Sequence, residues 1–273
     1  MKLRVLLYCL LGGLPLTIAA LGAGHLAWWW VSGILFAASF VPVALFGPVR
    51  ATGQFAVITP VLLIITTLCT WSEALLFVPG YGEHAGRDLF SSIIMCLILA
   101  VVLTVLSASL KLSKPGEACV PHRTSVSALF LILLSGFAYL VYYLVFGGIT
   151  YQFFTKGYYP EATQAVARLG FWFWGIQFTR GVLMTLAVVP IIYTLRMKRW
   201  HAAIAVGSIL WICGGAAPLL VPNGFMGATQ RLIHVVEIFT QNFSLGVTAV
   251  LLLRPKSVPV VANPQAASAP VPV

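Results

Sequence analysis

The sequence predicts an all-α fold, a polytopic bundle of transmembrane helices, from three observations. Hydrophobic residues make up 60% of the chain and charged residues 8%, with a mean hydropathy of +0.99, whereas soluble domains run at roughly 45–50% apolar and about 25% charged. Eight stretches are apolar over about 20 residues, the length a helix needs to cross the hydrocarbon of a bilayer. The loops between them are short, the longest being 111-126 and 150-170, so little is left over for a soluble domain.

The predicted spans are 5-23, 26-47, 55-79, 89-110, 127-149, 171-195, 202-221 and 230-253. The first follows Met1-Lys2-Leu3-Arg4 and ends in Ala20-Leu21-Gly22-Ala23-Gly24, a pattern resembling a secretory signal peptide. Its apolar run exceeds the usual ~7–15 residues of such a peptide, so it is expected to stay as a helix; cleavage would leave seven. Pro60, Pro190 and Pro218 fall inside the third, sixth and seventh spans, where neighbouring groups can re-satisfy the freed backbone. Residues 1-256 thus form a single transmembrane helical domain. From 257 to 273 the chain is rich in Pro, Ala and Val without helical periodicity, and reads as a disordered cytoplasmic tail.

An internal repeat is discernible. Leu75-Leu76-Phe77-Val78-Pro79-Gly80 closes the third span and Leu219-Leu220-Val221-Pro222-Asn223-Gly224 the seventh, and Arg87 and Arg231 then precede the fourth and eighth. Leu10-Leu11-Gly12-Gly13 resembles Leu133-Leu134-Ser135-Gly136 in the same way. Two parallel four-helix halves, a 4+4 pseudo-repeat, would produce this pattern; chance resemblance between apolar segments is the alternative.

The net charge of +10 reflects where the basic residues fall. With the N-terminus inside, Lys2, Arg4, Arg50, Lys111, Lys114, Arg123, Arg196, Lys198, Arg199, Arg254 and Lys256 lie on the cytoplasmic side, and Arg87, Lys156, Arg168 and Arg231 outside. That bias places both termini in the cytoplasm by the positive-inside rule, in a plasma membrane or bacterial inner membrane. Basic residues scattered over short loops make no nucleic-acid face. The expected partners are the lipid bilayer and a small-molecule or ion substrate. Cys9, Cys69, Cys96 and Cys213 lie within spans and Cys119 in a loop, which argues against a disulfide framework.

Arg180 is the only Lys or Arg between Phe171 and Leu195. A guanidinium at membrane depth costs about 2.5–3.5 kcal/mol on insertion scales, so it requires a partner or water. Arg180 lies nine residues below Phe171, ~13 Å at about 1.5 Å per residue, and Glu237 lies six below Arg231, ~9 Å. Comparable depth predicts an Arg180 to Glu237 pair. Arg231, His234, Glu237 and Gln241 are spaced three, three and four residues apart, so they share one face of the eighth helix, with Gln177 one turn before Arg180 on the sixth. Glu73 is a second intramembrane carboxylate; its alternatives are membership of the same cluster, with proton exchange, or snorkelling to the interface. Gln241 and Asn242 fit interhelical glue, worth about 0.6 kcal/mol. The aromatic loop 150-170 fits a lid or an interfacial re-entrant segment.

Catalytic signatures are missing: there is no GxSxG elbow, HExxH or Walker A loop. His234 and Glu237 supply two donors where a zinc site needs three or four, so neither metal nor cofactor is expected. The pattern points to transport or membrane-embedded binding of a small solute in an outward-opening polar cavity between the third, sixth and eighth spans, an anionic solute if Arg180 is the charge anchor. Two alternatives stand beside it: an accessory protein whose ion pair only joins helices, and an intramembrane enzyme acting on lipid or a lipid-linked substrate.

Overall fold

A computed structural model of the chain describes residues 1–22, 24–47, 49–78, 80–112, 124–159 and 162–255. The tail from 257, Lys256, Cys119 and part of the loop 111-126 lie outside the described residues. Among those described, eight helices are long and apolar enough to cross a membrane: Lys2–Ala19 (span 1), Leu26–Phe46 (span 2), Ala51–Phe77 (span 3), Ala85–Ser109 (span 4), Ser125–Thr155 (span 5), Phe171–Thr194 (span 6), Arg199–Leu220 (span 7) and Ala228–Leu253 (span 8). The protein is an all-α polytopic bundle. Span 5 runs past the expected residue 149 because Tyr151–Thr155 continues the helix as a π turn. A short helix, Ala162–Leu169, precedes span 6.

The spans pack through small residues, since in lipid close backbone approach replaces the hydrophobic effect between helices. Gly33 of span 2 lies against Gly13 of span 1, where a Cβ would come within 2.6 Å of the Gly13 Cα. Gly181 of span 6 lies the same way against Gly136 of span 5, with a Cβ reaching 3.0 Å from the Gly136 Cα. The surroundings also match. Gly13 faces the carbonyl of Trp30 and the side chain of Ile34, and Gly136 faces the carbonyl of Phe178 and the side chain of Val182. Pro42 follows Gly33, and Pro190 follows Gly181, by the same number of residues.

The order of packing recurs between the halves of the chain. Spans 1 and 2, 3 and 4, and 1 and 4 are neighbours; so are 5 and 6, 7 and 8, and 5 and 8. Two seams join the halves, span 2 against span 7 and span 6 against span 3, and spans 3 and 7 also touch, the Thr66 hydroxyl donating to the Cys213 carbonyl at 2.9 Å. At the first seam the Ser32 hydroxyl donates to the Ala217 carbonyl at 2.8 Å. At the second, Arg180 meets Glu73. The apolar core runs along both, through Phe40, Ile58, Leu62, Ile65, Val188, Ile191, Val206 and Ile209. The perimeter presents Phe90, Val105, Phe130, Phe137, Ile204 and Leu232 to the surroundings, an apolar belt of the kind lipid covers.

The even-numbered spans end on one face, and basic residues tie those ends together. The Arg196 amide donates to the Phe46 carbonyl at 3.0 Å. The Arg254 guanidinium donates to the Met197 carbonyl at 2.6 Å, and that of Arg199 to the Leu251 carbonyl. Of these, the Arg199 contact sets a cation on a carbonyl in the last turn of span 8, where the macrodipole is negative.

Candidate functional site: a cavity walled by carboxylates and aromatic rings

Four spans leave regular α-geometry partway along their length. The π-helical stretches are Leu62–Cys69 in span 3, Tyr143–Gly147 and Tyr151–Thr155 in span 5, Ile212–Ala216 in span 7 and Phe239–Phe243 in span 8. A π turn inserts one extra residue, so it rotates the helical face beyond it and disturbs close packing, and such turns recur at functional sites. Between these turns lies a cavity of about 430 Å³. Its wall carries Glu73, His234, Glu237 and Gln241, the rings of Phe77, Tyr143, Tyr151, Tyr159, Phe173 and Trp174, and Thr163 and Val166 from the short helix. The size lies at the small end of ligand pockets.

Arg180 Nη1 donates to Glu73 Oε1 at 2.7 Å and to Gln177 Oε1 at 2.8 Å. Its guanidinium carbon lies 6.0 Å from the centre of the Tyr139 ring, within the range of a cation–π contact. The Arg180 side chain is 10% exposed and that of Glu73 33%. Glu73 therefore faces the cavity with Arg180 behind it. Arg180 borders a separate void of about 10 Å³, shared with Glu73, Tyr139, Gln241 and Asn242.

Glu237 is held within its own helix and from the loop. His234 Nδ1 lies 2.8 Å from Glu237 Oε2, and Gln241 Nε2 donates to Glu237 Oε1 at 3.2 Å. Against an ionised carboxylate Nδ1 carries the proton, which directs Nε2 to the Tyr159 hydroxyl at 3.1 Å. Burial, then the negative charges of Glu237 and Glu73, pushes the Tyr159 hydroxyl above its ordinary pKa and keeps it a donor. Gly147 of span 5 leaves space for the cluster: a Cβ there would lie 3.2 Å from Gln241 Nε2 and 3.4 Å from Glu237 Oε1.

This geometry corrects the expected pairing of Arg180 with Glu237. Comparable depth is not adjacency. Span 6 packs against spans 5 and 3, and it meets span 8 mainly over Ser244–Leu253, past Glu237 toward the basic face. Glu73 is thus the carboxylate within reach, and His234 takes Glu237. The structure brings Glu73, His234, Glu237 and Gln241 to the cavity and leaves Arg180 and Gln177 behind its wall. Gln241 serves Glu237 rather than a neighbouring helix, while Asn242 Nδ2 does bridge to span 7 through the Leu210 carbonyl at 3.2 Å.

Sequence reasoning missed the walls from spans 5 and 7 and the direct contact of Tyr159 with His234. The aromatic run from Tyr151 to Tyr159 was the available signal, but its partner was not readable from spacing. His234 and Glu237 offer two donors, and among the described residues no three His, Cys, Asp or Glu side chains converge on a metal position. No family model, curated protein or solved structure matches the chain.

Proposed function

We propose that the protein binds a small solute in the cavity between spans 3, 5, 6, 7 and 8 and carries it across the membrane. The carrying observation is the cavity of about 430 Å³, whose wall draws Glu73 from the first half of the chain and His234, Glu237 and Gln241 from the second. A site on a seam between two four-helix units is positioned to change its access when the units move against each other. The other seam supports a functional origin for the charges: spans 2 and 7 pack there with a neutral Ser32 to Ala217 hydrogen bond, so packing of this kind requires no ion pair. We further infer, from the bias of positive charge, that the basic face is cytoplasmic and the cavity opens to the outside.

A narrower structural reading fits Arg180 itself. Buried behind Glu73 and bonded to Gln177, it fixes the carboxylate in place and joins span 6 to span 3.

Thiol labelling in intact cells tests access. In a cysteine-free chain, Gly148→Cys in the cavity wall should react with a membrane-impermeant maleimide added outside, as should Phe225→Cys in the loop between spans 7 and 8, while Lys198→Cys on the basic face should not. Labelling of Phe225→Cys without Gly148→Cys would defeat the cavity reading, and labelling of Lys198→Cys alone would invert the orientation.

A further inference from the structure

Resting on the solute-binding reading above, we propose that the ligand is an organic cation, an ammonium group attached to an apolar, preferably aromatic, body. The juxtaposition that assigns this class is two carboxylates and six aromatic rings on one cavity wall, with the neighbouring guanidinium outside it.

Charge decides the sign. Arg180 is compensated by Glu73 and touches only the small rear void, so it offers a cavity ligand no free cationic group. Glu237 receives hydrogen bonds from His234 and Gln241 and meets no Lys or Arg among the described residues, so the imidazole of His234 is its one ionisable partner there. Two carboxylates against one guanidinium leave the wall with a negative charge whenever the imidazole is neutral and with no net positive charge when it is protonated, so the wall attracts a cation and offers an anion no anchor. An anionic solute anchored by Arg180, the sequence-based expectation, would have to pass Glu73 to reach it.

The rings determine the rest of the ligand. Tyr143, Tyr151, Tyr159, Phe77, Phe173 and Trp174 present π faces and edges around the cavity, and such rings hold ammonium ions by their quadrupole, Trp most strongly. A hydrated inorganic ion gains little from a wall this apolar. An amine with a hydrocarbon body satisfies both components, its nitrogen toward Glu73 and Glu237 and its body against Phe77, Phe173 and Trp174.

The test uses the full chain in lipid nanodiscs and three probes of nearly equal shape: phenethylamine, phenethyl alcohol and 3-phenylpropionate, titrated calorimetrically at pH 7. Saturable binding of the amine is expected at least tenfold tighter than that of the alcohol, with the carboxylate weaker still. Glu237→Gln should weaken the amine at least tenfold and abolish most of its preference over the alcohol. Should Glu237→Gln fail to give a monodisperse protein, Trp174→Leu supplies the second variant and should also weaken the amine selectively. Preference for the carboxylate overturns the cation assignment but leaves solute binding standing. Equal binding of all three overturns it as apolar partitioning. Binding of none also overturns it, and the Gly148→Cys labelling then decides separately whether the cavity is open.

Discussion

Arg180 and Glu73 meet at 2.7 Å although 107 residues separate them in the chain, whereas His234 and Glu237 meet at 2.8 Å within one turn. The first contact is a long-range closure between spans 6 and 3, and the second is local to span 8. Mutations in the two pairs should therefore behave differently.

Arg180→Leu leaves Glu73 without its cation beside a membrane-embedded core. Breaking a buried pair by removing one partner costs about 3–5 kcal/mol, and the partial exposure of Glu73 places this one at the lower end, about 3 kcal/mol. Adding Glu73→Gln should restore more than half of the loss, because no bare carboxylate remains. Adding Glu237→Gln to Arg180→Leu should restore none. Unfolding in mixed micelles, followed by far-UV circular dichroism, separates these outcomes, and rescue by Glu237→Gln would contradict the observed pairing.

Gly181→Ala tests the close approach of spans 5 and 6. The added Cβ would lie 2.6 Å from the Tyr139 Cβ and 3.0 Å from the Gly136 carbonyl, so the helices must separate, at a cost of about 1–3 kcal/mol. Gly148→Ala, where nothing lies within 4 Å, should change stability by no more than about 0.5–1 kcal/mol and in the favourable direction. The same unfolding assay reads both.

Tyr159→Phe removes the hydroxyl that reaches His234 and should cost about 0.5–1.5 kcal/mol. Because the folded state raises the pKa of this hydroxyl, it favours the protonated form. Ionising Tyr159 therefore removes stability as pH rises beyond the usual tyrosine value of about 10. The difference in alkaline absorbance titration between wild type and Tyr159→Phe should show a transition above that value, and a midpoint below it would refute the burial argument.

A bound water is expected behind the wall. Arg180 Nε is buried without a protein partner, and the adjoining void of about 10 Å³ is close to the smallest space that holds one water molecule. A high-resolution experimental map should show one density peak bonded to Arg180 Nε; an empty void there would leave the donor unsatisfied.

The spans were legible because length and apolarity are direct requirements of the bilayer, and each helix begins and ends within a few residues of its expected position apart from the extension through Thr155. The chemical identity of the site was legible for the same reason: Arg180, Glu73, His234 and Glu237 are costly in hydrocarbon and stand out against it. Adjacency was not. Which carboxylate reaches Arg180 depends on which helices are neighbours and how each is rotated, and apolar faces of similar composition carry little of that information. The π turns were equally invisible, since Leu62–Cys69 and Phe239–Phe243 are ordinary span residues in sequence. Of the motifs shared between the two halves, Gly13 and Gly136 fall at corresponding close approaches of neighbouring helices.

The 107-residue interval between Glu73 and Arg180 also sets a timetable for biogenesis. At roughly 5–20 residues per second, the ribosome takes roughly 5 to 20 seconds to make Arg180 after Glu73. During that interval Glu73 has no guanidinium to meet, and the contact that closes span 3 against span 6 cannot form. Only with span 6 in place do Arg180 and Gln177 arrive behind Glu73. The seam between spans 3 and 6 therefore closes only after the first four spans have been synthesised, which makes it a late step of assembly.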